Sequence, residues 1–360
     1  MLKFRQYGLH PINLTVTLPL IGLLLFLYTE NKDFFIISTG ILFGFISILI
    51  HELGHVFAGS IAGAKLNFMS AGPILLIPNK QGKLKITLNS DLSMMLGMES
   101  SYVPIKDITN ENKILKKKLI PEFLGGPLAN IVAIILCSLV RLLPINNQLL
   151  IDTTSYFIII NIAVFIATIF PLGEYTDGAK IVKLIRNQNI ETFKLFNDYL
   201  NPNYKLTEKS AKNIEHQLEE CPQLSNCLNI GIMLIRYQLQ HHNYEHGLYV
   251  INKLIDKHTK EDGQIMQNLL HFHRALLLWA SKSEIDEATL IRLNNINYTY
   301  GRTFLNLAEA MLMYSKEDTN STKYHKLVND SKKWIYKIMD PCQEEIVAIC
   351  VQSMQKQLCA

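Results

Sequence analysis

The residues best able to do chemistry are His51-Glu52-Leu53-Gly54-His55. Imidazoles at i and i+4 fall on one helix face, where they can grip a single Zn²⁺. The glutamate next to the first can take a proton from water activated at that ion. The seventeen residues from Phe34 to Ile50 that lead into this pentad carry no charge. The helix that positions it is therefore expected to lie in a bilayer, and hydrolysis there implies a substrate that is also in the membrane. Glu52 is the only acidic residue from Phe34 to Ser90, and charge within an apolar span is costly enough to mark function.

A catalytic zinc site needs a third protein ligand and an open fourth position. The other acids considered for the apolar half are Glu122, Asp152, Glu174 and Asp177. Asp152 is expected near the external end of the fourth span, at the wrong depth. Asp177 follows Pro171, whose ring stops a helix and lets the chain turn back. Glu174 in the same turn competes with it, and both it and Glu122 also read as carboxylates solvated at the interface. At ~1.5 Å per residue, His51 lies ~26 Å into a ~30 Å hydrocarbon core, nearer the cytoplasmic face. A third segment, Gly125-Gly126-Pro127-Leu128-Ala129-Asn130, allows close helix packing and offers a buried amide, Asn130, to a substrate carbonyl.

Apolar runs place spans at about 14–28, 34–62, 120–143 and 150–170. Lys3 and Arg5 precede the first run, which is expected to be a retained anchor because no small-residue cleavage site follows it. Basic residues also fill the connection from Lys65 to Lys118 and the segment from Lys180 to Arg186. Those segments, and with them both termini, are predicted to be cytoplasmic. Residues 1–190 hold 16 of the 35 basic residues but only 11 of the 31 acidic ones. The positive excess thus lies in the membrane half, which suits a lipid surface and argues against nucleic acid. Between the second and third spans, Ala71–Ile77 and the alternating Lys83–Leu88 flank a turn at Asn79–Gly82. This predicts a membrane-associated β-hairpin with a free edge beside the metal.

Residues 191–360 read as soluble helices over 228–240, 244–258, 265–280 and 303–314, an irregular helical-hairpin array of the tetratricopeptide type or a plain bundle. The eight histidines in this half, among them His271 and His273, are expected to be surface or packed residues. The six cysteines form no CxxC pair and are expected to be reduced.

Taken together, the HExxH helix, the hairpin, Gly125–Asn130 and the Pro171…Asp177-Gly178 turn resemble the site-2 protease family of intramembrane zinc metalloproteases, over about residues 34–185. The resemblance implies one zinc ion on His51, His55 and Asp177, Glu52 as general base, and Asn130 as a substrate-positioning residue. Thr168 and Thr176 stand where the family has asparagine and leucine, and one extra residue separates Pro171 from Asp177, as in a divergent branch found beside bacteriocin genes. The fold expected is mainly α: a polytopic, multi-pass cell-membrane protein with a three-helix metalloprotease core, an extra N-terminal span and a C-terminal cytoplasmic helical domain. Its partners would be a membrane protein or peptide substrate, membrane lipids and a cytoplasmic regulator. A binding or immunity protein on the same scaffold is the alternative. A transporter-like protein fits less well, for want of repeated spans or further charges within the spans.

Overall fold

The computed structural model describes residues 11–79, 82–89, 95–105, 110–143, 147–171, 176–188, 190–220, 224–257, 264–296, 302–316, 321–334 and 346–352. The chain divides into two compact units, 1–194 and 195–360. Among the described residues, three helices are long and apolar enough to cross a membrane: α2 (Lys32–Ala62), α3 (Glu111–Arg141) and α4 (Gln148–Ile169). The apolar helix before them, α1 (Asn13–Thr29), is shorter and opens with a π-helical turn over Asn13–Thr17. Four spans were expected, and over its described residues the first is shorter than the other three.

Local chemistry sets the ends of these helices. The Asn31 side chain caps α2 by accepting from the Asp33 amide, and Gly63, left-handed at φ 83°, closes it. The α3 helix begins nine residues before the expected span, because helix formation continues through Lys116–Lys118 where hydropathy does not. It packs along α2 at very close range. A methyl group on Gly54 would strike the Gly125 carbonyl, and one on Gly125 the Gly54 carbonyl, so the two backbones touch as small-residue crossings allow.

Polarity is inverted across these helices. Leu128, Val132, Ile135, Leu136, Ile159 and Ile162 face outward, whereas Ser47, His51, Glu52, His55, Asn130 and Asn161 are buried. A polar interior beneath an apolar exterior suits hydrocarbon surroundings.

The α2–α3 connection is more than a hairpin. Four antiparallel strands, β1 (Lys65–Ala71), β2 (Ile74–Pro78), β3 (Leu84–Leu88) and β4 (Met98–Tyr102), form one sheet in the order β3-β2-β1-β4. The expected hairpin is β2–β3, with Ile86 opposite Leu76. Met69 of β1 faces Leu76 on one side and Glu99 of β4 on the other. The β1–β2 turn wedges between helices: at Gly72 (φ 54°) a side chain would meet Phe45 and Thr15. Phe45 precedes His51 by six residues, so this turn reaches ~9 Å past the first histidine along α2. Both β3 and β4 are edge strands, and β4 follows Gly97, which lies against Glu52.

After α4 ends at Ile169, a short amphipathic helix α5 (Asp177–Ile185) starts at a Thr176 cap that accepts from the Ala179 amide. Its Leu184 joins Val103, Leu115 and Leu119 in a small core, with Phe193 packed against it. The next helix is α6 (Ile190–Leu200).

Unit 195–360 is helical among its described residues: α7 (Glu208–Glu220), α8 (Leu224–Gln240), α9 (Tyr244–Lys257), α10 (Gln264–Ala280), α11 (Glu287–Leu293), α12 (Arg302–Tyr314) and α13 (Thr322–Trp334). From α7 through α12 each helix packs on the next, as does α12 on α13. Left-handed His242 and Lys282 end two of them within the expected polar breaks. Gly231 lets α8 approach Leu254 of α9, and Trp279 packs against Tyr314 and Tyr324.

His271 and His273 are both buried rather than on the surface. His273 donates from Nδ1 to the Leu269 carbonyl at 2.9 Å, and burial pushes its pKa down to about 4. The folded unit therefore keeps it neutral while the unfolded chain takes up a proton below about 6.5. Stability should fall as pH drops from about 6.5 to about 4, with His273 contributing about 3 kcal/mol at full extent. Urea unfolding at pH 7 and pH 4.5, followed by helical circular dichroism, should show a smaller pH difference in His273→Leu than in the wild type.

Candidate metal centre

Three acceptor atoms converge inside the first unit. His51 Nε2 and His55 Nε2, successive turns of α2, lie 3.0 Å apart. Asp177 Oδ2, from the first residue of α5, lies 3.1 Å from the former and 3.3 Å from the latter. All three residues are buried. The far side of each ring decides what these nitrogens carry. His55 Nδ1 faces the Glu122 carbonyl at 2.8 Å, which can only accept, so Nδ1 holds the proton. His51 Nδ1 faces Asn130 Oδ1 at 2.7 Å and donates likewise. In the neutral rings both Nε2 lone pairs then point at a carboxylate, a repulsion that either a shared proton or a metal cation between them would relieve. His51, His55 and Asp177 could hold a metal ion. Donors ~2.0–2.1 Å from a tetrahedral centre stand roughly 3.3–3.4 Å apart, close to the separations here.

No family model, curated protein or solved structure matches this chain.

The glycines of the motifs gain a reason from the site itself. A methyl on Gly126 would strike His55 Nε2 and lie 2.7 Å from His51 Nε2, directly over both nitrogens. Gly178 lies so close to the Ile169 carbonyl that no side chain fits, which lets α5 start against the end of α4 and brings Asp177 to the histidines. The extra residue in the turn thus does not keep the carboxylate away. Its other oxygen, Oδ1, is 4.0 Å from Lys180 Nζ, whose charge sits over the Phe123 ring.

Glu52 is buried beside the pair. The segment before β4 covers it: at Gly97 (φ 95°) a side chain would come within 2.5 Å of Glu52 Oε1 and 2.7 Å of Ile48. Glu122 is not the interfacial carboxylate that the sequence allowed. It is buried, accepts from Ser101 of β4 at 2.6 Å, and rests against Gly59. Glu99 on β4, absent from the acids considered for the site, lies close enough for its charge to act on Glu122, His55 and Glu52. Desolvation and then Glu122 raise its carboxyl above the usual carboxylate range.

Asp152 is exposed and accepts from Gln148, away from the centre. Glu174 lies outside the described residues. The Asn130 amide is fully buried, and it binds His51, the Ser47 carbonyl and Asn161. These bonds place Asn130 behind the His51 ring.

Proposed function

We propose that the chain is an intramembrane zinc endopeptidase of the site-2 protease type, cleaving a membrane-spanning or membrane-proximal segment of a protein or peptide. The observation that carries this reading is the meeting of His51 and His55, on the membrane-length helix α2, with Asp177 of α5, all beside Glu52. Two imidazoles and one carboxylate form a donor set typical of catalytic zinc. When bound, the ion supplies Lewis acidity that polarises a scissile carbonyl and lowers the pKa of water toward ~7. Glu52 takes the proton of the attacking water and delivers it to the leaving nitrogen. Lys180 holds Asp177 by its outer oxygen, and the Nδ1 hydrogen bonds keep both rings turned inward.

A peptide bond in an intact helix is shielded, so a substrate span must unwind locally. An extended segment could add to a sheet edge, and β4 is the edge strand that follows Gly97, which lies against Glu52. Basic residues on the hairpin, at the start of α3 and on α5 favour a cytoplasmic face there and at both termini. Unit 195–360 would recruit a substrate or regulator from that side. The alternative, a non-catalytic binding or immunity protein, would be favoured by a Thr176-Asp177-Gly178 turn that held its carboxylate away, but Asp177 Oδ2 lies 3.1 Å from His51 Nε2.

The test is metal content with activity. Purified wild type should hold one zinc ion per chain and cleave a membrane-spanning reporter. His55→Ala should lose both. Equal zinc content in the two proteins, or a zinc-free wild type that still cleaves, would overturn the reading.

A further inference from the structure

We propose that Asn161 is a positioning residue that sets the tautomer of His51 through Asn130, an inference that rests on the metal-binding reading above. Asn161 lies on α4 and is 0% exposed, although its helix presents Ile159, Ile162 and Ile166 outward. A buried amide on such a helix is costly unless its bonds are made. Its Nδ2 donates to the Phe157 carbonyl at 2.9 Å. A carbonyl can only accept, so this bond fixes which end of the Asn161 amide is which. Its Oδ1 then faces Asn130 and accepts from Nδ2 at 2.9 Å.

Asn130 is thereby oriented too. With Nδ2 committed to Asn161, and more distantly to the Ser47 carbonyl at 3.3 Å, its Oδ1 is turned to His51 Nδ1 at 2.7 Å. The proton on His51 must sit on Nδ1, and the Nε2 lone pair is left for the ion. Donor-to-acceptor direction thus passes from a backbone carbonyl of α4, through two amides, to a ligand on α2. His55 needs no relay, because the Glu122 carbonyl fixes it directly. Were the Asn130 amide to flip, its NH₂ would face Nδ1 and place a proton on Nε2, where a ligand cannot carry one. Without Asn161, only the longer Ser47 contact opposes that flip.

The test uses the full-length protein in detergent micelles, with Zn²⁺ affinity measured against a chromophoric chelator and the ligand-field spectrum of the Co²⁺ form. Asn161→Leu should weaken Zn²⁺ binding about tenfold or more and alter the Co²⁺ bands. Asn161→Asp keeps an oxygen that accepts from Asn130 whether or not it is ionised. It should restore affinity to within about threefold of wild type, as second-sphere polarity is regained. Thr168→Val on the same helix, whose hydroxyl bonds only its own backbone at Val164 and Phe165, should change neither readout. If the leucine variant is not recovered folded, Asn161→Ala leaves the same bond unmade with less volume. Wild-type affinity and spectrum in Asn161→Leu, or equal losses in the Leu and Asp variants, would overturn the relay alone. A wild-type chain that binds no ion would sink the metal reading and the relay together.

Discussion

Replacing Glu52 with glutamine should lower the cleavage rate by about a hundred- to ten-thousandfold, the range ascribed to a positioned proton-transfer group, with one metal ion per chain retained. The substitution changes almost no volume, so the carboxamide fits beneath Gly97 where the carboxylate sat. None of the three convergent acceptor atoms belongs to Glu52, and the Nδ1 bonds that orient the rings run to Asn130 and Glu122. What is lost is a base able to take a proton and return it. Single-turnover cleavage of a spanning reporter, paired with metal analysis of the same preparation, separates the outcomes. Undiminished cleavage removes Glu52 from the chemistry, and loss of metal with activity would recast it as part of the ligand set.

Gly126→Ala is expected to be nearly as damaging, through the ion rather than the proton. The added methyl would occupy the space over both Nε2 atoms, and the surroundings cannot easily yield. Each ring is tethered at Nδ1, and α3 cannot back away without opening the Gly54–Gly125 backbone contact. Overpacking of this kind costs typically 1–3 kcal/mol. If the strain is relieved by displacing the rings, zinc affinity should fall by about a hundredfold, or ~2.7 kcal/mol. Gly40→Ala and Gly44→Ala, on the same α2 but with nothing within 4 Å of the added carbon, should bind metal as wild type does. Equal affinity for Gly126→Ala would mean that the helices separate more freely than their backbone contact implies.

Local periodicity made part of this arrangement readable in advance. The i, i+4 spacing of His51 and His55 places both rings on one face whatever surrounds them, and the charge-free run before them announces a long apolar helix. Alternation from Lys83 to Leu88 exposed the β2–β3 hairpin. Features set by lateral packing were not readable. Strand β4, Met98–Tyr102, is mostly polar and reads as loop, because its serines are buried by residues such as Glu122 that are distant in the chain. Glu99 went unweighed for the same reason. The start of α3 was hidden by three lysines that lower hydropathy without breaking a helix. Asn161 carried no motif at all: its meaning depends on Asn130, 31 residues earlier, and through it on His51, 79 residues earlier still.

The distance along the chain between the histidines and Asp177 has a consequence for biosynthesis. His51 and Asp177 are 126 positions apart, so an ion held between them would act as a staple closing a ring that contains the sheet, α3 and α4. The nascent chain could not load it until α4 and the turn beyond had left the ribosome and packed. Earlier intermediates would present two of the three side chains at most.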